Sequence, residues 1–158
     1  MKEHHYTTQL NWTGNEEGKG TFNYTSYTRD HTISVANKYS NILASSDPGF
    51  RGDASRYNPE ELFLASLSAC HMLWYLHLCS VNKVIVDTYE DEARGTMMEQ
   101  KDGSGQFTKV TLYPKVIVRS EEMRAKAMML HHEANKMCFI ANSCNFKIDH
   151  RVTVIVSS

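Results

Sequence analysis

The chain has 158 residues, 41% of them hydrophobic, and its 17 Lys and Arg against 18 Asp and Glu give a net charge of −1 with eight neutral histidines. That length suits a single domain, 1–158, with a sizeable core, and the composition excludes a disordered or membrane-protein profile. The basic residues are scattered, without the electrostatic footprint of a nucleic-acid binder.

The opening "MKEHHYTTQLNW" has no apolar run behind Lys2. It reads as neither a signal peptide nor a transit sequence, so a cytoplasmic protein with no nucleic-acid and no membrane partner is expected. "HYTTQLNW", "GTFNYTSYT" and "HTISV" then alternate in the manner of strands, broken by "TGNEEGKG", and predict a β-meander. Residues 45–58, "SSDPGFRGDASRYN", hold two of the eight glycines and one of the three prolines, which makes a long exposed loop.

Asn58 suits an N-cap, Pro59 the first helical position, and Glu60 and Glu61 a first turn where the helix dipole favours negative charge. The helix should run to Leu78 or Val81. Its Leu62, Phe63, Leu67, Leu73, Trp74, Leu76 and Leu78 cover nearly every azimuth, predicting burial on all sides. The stretch approaches the length of a membrane span, but His71, His77 and its serines favour a buried soluble helix.

Residues 84–99 and 106–119 alternate like paired strands around a "KDGSG" turn. Ser120, Glu121 and Glu122 open a second helix whose Met123, Ala127, Leu130 and Ala134 form an apolar stripe ending near Cys138; "FKIDHRVTVIV" closes the chain as one strand. The expected fold is α+β, antiparallel β-sheets packed around a long central buried helix. One small sheet covers such a helix poorly, and an intertwined homodimer would bury it.

Four cysteines, Cys70, Cys79, Cys138 and Cys144, show no C-x-x-C spacing, against a disulfide scaffold or a zinc ribbon. Cys70 and Cys79 lie nine residues apart, about 180° around the helix, and cannot be partners. A free cysteine inside an apolar helix is by default an inert small hydrophobe. Against that default stand "RYNPEELFLASLSACHMLWYLH" and the later "KMCFIANS", which closely resemble the OsmC/Ohr family of organic hydroperoxide reductases in its N-P-E-x-L-F and A-x-x-x-A-C motifs and its second-helix cysteine.

The resemblance implies an OsmC-like fold over essentially the whole chain and a cytoplasmic thiol-dependent peroxidase. Cys70 becomes the peroxidatic cysteine and Cys138 the resolving one. Arg29 in "YTRDHTI" matches the family's active-site arginine, and Glu60 the carboxylate that orients it. A sulfenic acid formed at Cys70 would condense with the second thiol, provided the Cα atoms come within about 7 Å. Glu60 and Cys70 are ten residues apart, about 15 Å of helical rise, so either Arg29 bridges them or the partner subunit supplies one group. No cofactor is implied beyond an external dithiol reductant, a small or lipoyl dithiol, with the organic hydroperoxide as substrate. The pocket is expected around Phe50, Leu67, Met72 and Phe139.

Where many relatives read C-P-Y-S-N-A, this chain reads "CFIANSC", which leaves Cys144 as a second candidate for resolution. His71 points about 100° away from Cys70, reading as a buried or interface histidine with both nitrogens bonded, as does His77. His31 shares a strand face with Arg29. His131 and Cys138 share a helix face, which leaves open a zinc site using them; His4 and His5 read as surface residues. The remaining alternative is a non-catalytic OsmC-like module that binds an apolar ligand or partner.

Overall fold

The computed structural model describes residues 1–157. The chain divides into two compact units with a boundary between Leu62 and Phe63.

In the N-terminal unit, β1 (Gln9–Trp12), β2 (His31–Ser34) and β3 (Ile42–Ala44) form an antiparallel sheet in that order. The meander is there, but the segment expected as its middle strand, residues 20–28, is a run of turns. Its short polar side chains capture the backbone: Asn23 Oδ1 accepts from the Thr25 amide at 2.9 Å, and Ser26 Oγ donates to the Gly20 carbonyl at 2.9 Å. Gly14 is required by close approach, since a Cβ there would lie 2.0 Å from the Thr28 carbonyl oxygen. The 45–58 loop carries a 3-10 turn at Pro48–Phe50, capped by Asp47 Oδ1 on the Gly49 amide at 2.7 Å. Tyr57 then returns to β3, its amide donating to Leu43 and its carbonyl accepting from Ser45.

That return delivers Asn58 to the start of α1 (Pro59–Val81). Asn58 Oδ1 accepts from the Glu61 amide at 2.8 Å while Glu61 Oε2 accepts from the Asn58 amide at 3.1 Å, a reciprocal capping box. The helix does not have the all-round burial that its composition predicts. Leu67, His71, Tyr75 and Cys79, four residues apart, form its buried stripe, whereas Leu73 and Val81 stay 63% and 61% exposed. Phe63, Leu64, Trp74, Leu76 and Leu78 pack against the core from its flanks and stay partly exposed.

The C-terminal unit continues with β4 (Val86–Glu90), β5 (Arg94–Glu99), β6 (Gly105–Leu112), β7 (Lys115–Val118), α2 (Glu121–Met137), a one-turn α3 (Phe139–Asn142), β8 (Ile148–His150) and β9 (Thr153–Val156). The β5–β6 hairpin turns as expected at Gly103, whose φ of 83° suits glycine. The strands that follow differ from expectation. Pro114 lacks an amide hydrogen and separates β6 from β7, and the closing strand divides with them at Arg151. β8 pairs parallel to β6 and β9 parallel to β7, so the two sheets, ordered β4-β7-β9 and β5-β6-β8, are mixed instead of antiparallel.

Two clusters form the core of this unit. Tyr75 and Cys79 of α1 meet Val116, Val118, Ala127 and Val154, while Leu67 meets Val110, Leu112 and Ile148. Gly95 lets α1 sit closely on β5, because a Cβ there would lie 2.8 Å from Leu64 Cδ2 and 2.7 Å from Phe107. At the start of α2, Ser120 leaves the amides uncapped and donates instead to Glu122 Oε2 at 2.6 Å.

Candidate active site

Cys70 occupies the middle of α1, one residue before the buried stripe, and is half-buried. Cys138 ends α2 and caps α3, with extended backbone angles (φ −68°, ψ 109°) that break the helical path. The residue is 1% exposed, and its Sγ accepts from the Ala141 amide at 3.4 Å. The turn into α3 sets Cys138 beside Cys70, so two thiols 68 residues apart in sequence become neighbours whose side chains interact.

Their environments differ. Burial pushes the Cys138 thiol up to about 12, the neighbouring Cys70 side chain adds to the shift, and the Ala141 amide opposes it without prevailing. At neutral pH Cys138 is therefore a protonated thiol and a weaker nucleophile than an unperturbed cysteine. Cys70 is the more accessible of the pair. The apolar core raises Cys79, which lies on the buried stripe about 180° around the helix from Cys70. Burial also raises Cys144, whose Sγ donates to the Ile140 carbonyl at 3.3 Å.

One turn beyond Cys70, Trp74 meets Phe139 edge to face at 5.6 Å. Leu73, Trp74 and His77 line an open apolar depression of about 280 Å³. This depression differs from the expected pocket: Leu67 is fully buried in the core, while Phe139 is 66% exposed. His77 is exposed and lies edge-on to Trp74 at 5.9 Å.

Arg29 and Glu60 belong to the N-terminal unit. The Arg29 guanidinium donates to the Tyr27 and Tyr24 carbonyls at 2.8 and 2.9 Å and lies 4.3 Å from both ring centroids. Among the described residues no ion pair joins it to Glu60, which is half-buried in the first turn of α1. His31 Nδ1 contacts the Arg29 carbonyl at 2.8 Å.

His71 is buried as expected, but one nitrogen only is partnered: Nε2 contacts His131 Nδ1 at 3.0 Å, while Nδ1 has no partner. That contact sets His131 Nδ1 against α1. Among the described residues no group of three or more His, Cys, Asp or Glu side chains is placed to hold a metal ion.

A profile of the family described as OsmC-like protein matches residues 52–153, which include both motifs and both thiols. This chain belongs to the OsmC-like family. Its fold is similar to that of an OsmC-like protein of unknown function from Vibrio cholerae O1 biovar eltor, at 31% identity, 96% of this chain and 99% of that one covered, and a TM-score of 0.81. It is also similar to an organic hydroperoxide resistance protein from Elizabethkingia anophelis (18% identity, 98% and 100% covered, TM-score 0.68). A third likeness is to the organic hydroperoxide resistance protein OhrB of Bacillus subtilis (21%, 94% and 98%, 0.63). No curated protein matches the sequence. Within this OsmC-like chain, sequence reasoning picked out both neighbouring thiols and missed the pairing of His71 with His131, since 60 residues separate them and no motif joins them.

Proposed function

We propose that the protein is a cysteine-based peroxidase that reduces organic hydroperoxides to alcohols. The observation that carries this reading is the pairing of a half-exposed Cys70 with a buried, protonated Cys138. Cys70, as its thiolate, attacks the terminal peroxide oxygen; the O–O bond breaks, the alkoxide leaves and takes a proton, and Cys70 becomes a sulfenic acid. Cys138 then displaces water from that sulfur, giving a Cys70–Cys138 disulfide. One peroxide is reduced, two thiols are oxidised, and one alcohol and one water are released.

An external dithiol returns the pair to the reduced state, and a lipoyl group is one such reductant. Arg29 supplies positive charge that polarises the peroxide, and in a homodimer the second copy brings it to Cys70. A homodimer covers the exposed apolar face of α1, with the second copy packed on Leu73 and Val81. The Trp74 depression accepts the organic part of the substrate, which favours alkyl or aryl hydroperoxides over hydrogen peroxide.

Peptide mapping after one equivalent of cumene hydroperoxide tests the reading. Loss of two thiols mapping to Cys70 and Cys138, prevented by Cys70→Ser and halted at a sulfenic acid in Cys138→Ser, is expected. A bridge from Cys70 to Cys144 would keep the chemistry and reassign the resolving residue. Thiols that survive minutes of exposure would refute it.

A further inference from the structure

Beside the thiol pair lies a group of buried rings that the proposed reaction does not use. His71 of α1, His131 of α2 and His150 of β8 meet there. His71 and His131 lie nearly parallel at 5.3 Å between centroids, and His150 is 5.6 Å from His71. Tyr75 stacks on His131 at 3.7 Å. His71 and His131 are 1% and 0% exposed, and the direct hydrogen bond between their rings joins the two helices.

The place of that bond in each helix is informative. His71 is the residue after Cys70. His131 lies two turns before Cys138 on the buried face of α2, with Ala134 between them. The bond therefore ties α1 to α2 one residue from Cys70 and two turns from Cys138. Ala127, Leu130 and Ala134 are apolar contacts that permit sliding, whereas a ring-to-ring bond allows one register. Its polar atoms are also costly to bury, as His71 Nδ1 and His131 Nε2 remain unpartnered. Packing alone would be served better by two apolar rings.

We infer that His71 and His131 are positioning residues: their hydrogen bond is a cross-helix clamp that fixes the register of α1 and α2 and thereby holds Cys70 and Cys138 in bridging apposition. The inference rests on the Cys70–Cys138 pairing of the proposed reaction and on no peroxide turnover. It extends the thiol site by two residues that touch neither substrate nor the reacting sulfurs.

The test uses the full-length protein carrying Cys144→Ser, equilibrated against mixtures of reduced and oxidised glutathione, with the Cys70–Cys138 bridge quantified by mass spectrometry. Apposed thiols have a high effective concentration, and the equilibrium constant for the bridge reports it. His131→Phe leaves His71 Nε2 unpartnered, whereas the double variant His71→Phe with His131→Phe removes both polar partners and fills the space. His131→Asn keeps a polar atom near the position of Nδ1.

Both phenylalanine variants are expected to lower the constant about threefold to tenfold, as the loss of one neutral hydrogen bond would, a shift of about 15 to 30 mV in potential. His131→Asn should stay within about twofold of the parent, since one hydrogen bond is kept. A folded double variant with the parent constant would overturn the clamp, and so would His131→Asn falling as far as His131→Phe, because packing would then explain both. A bridge that forms with glutathione in protein whose thiols resist cumene hydroperoxide would leave the clamp standing and remove the peroxidase.

Discussion

The two faces of α1 are built from the same apolar alphabet and end in opposite environments. Leu67, His71, Tyr75 and Cys79 are at most 1% exposed, while Leu73 and Val81, on the other side of the same helix, are more than half exposed. The buried face holds two polar rings and a thiol kept neutral by desolvation, and the exposed face holds leucine, valine and the ring of Trp74. Hydrophobicity therefore does not tell which face is core. The buried stripe makes the scaffold, and Cys70 stands at its border, anchored by the scaffold yet reachable from outside.

The largest effect that would break this contrast is chemical. Cys70→Ser should abolish peroxide reduction, by at least about 10³-fold in a coupled thiol assay, as removal of a nucleophile does, while Cys79→Ser on the buried stripe should leave the rate near that of the parent. Equal losses would erase the functional distinction between the two faces.

Next in size is the scaffold itself. Tyr75→Ala removes a fully buried ring and should cost about 3–5 kcal/mol in urea unfolding. On the exposed face, Leu73→Glu should leave the secondary structure intact and weaken self-association about 10²-fold in sedimentation, as loss of an interface anchor does. An unchanged sedimentation profile would remove the homodimer.

Acid sharpens the comparison further. Burial lowers His71 to about 4, with His150 contributing, and lowers His131 to about 3, with His71 and His150 contributing. Folded pKa values below the unfolded value of about 6.5 mean that the unfolded chain takes up protons that the folded chain refuses. The melting temperature should be insensitive to these groups above pH 6.5 and fall progressively from there toward pH 4. The groups facing the cluster include His132 of α2, Tyr89 of β4 and Asp149 of β8; the carboxylates with lowered values, Asp149 among them, add their own loss below about pH 4. The double variant His71→Phe with His131→Phe should flatten the profile between pH 6.5 and 4.5, and a profile of unchanged slope would show that the cluster contributes nothing there.

The smallest effect belongs to the helix start. Asn58→Ala should cost about 1 kcal/mol by losing one half of the capping box. It should leave the thiol chemistry unchanged.

Much of the site was legible because its signals are local. Asn58, Pro59 and Glu61 announce a helix start within four residues, and the register from that cap to Cys70 is fixed by helical periodicity. The "KDGSG" turn is local in the same way. The segment at 20–28 misled for a related reason: its Thr and Tyr content suggests a strand, but Asn23 and Ser26 satisfy the backbone within the segment, and composition does not report that competition. The depression beside Trp74 is lined by Leu73 and not by Leu67, two residues that look alike in sequence and differ in which way the helix faces.

The sequence by itself determined the elements whose causes lie within a turn or two: the capped α1, the β5–β6 hairpin, α2, and the motifs that place Cys70 and Cys138 in a family pattern. Tertiary structure alone decided which stripe of α1 is core, how the closing strand divides between two sheets, and which side chains meet across long separations. The proximity of Cys70 to Cys138 and of His71 to His131 depends on the packing of α1 against α2, a contact made between residues at least 60 apart. Periodicity gives an azimuth on one helix; only packing gives the neighbour that the azimuth meets.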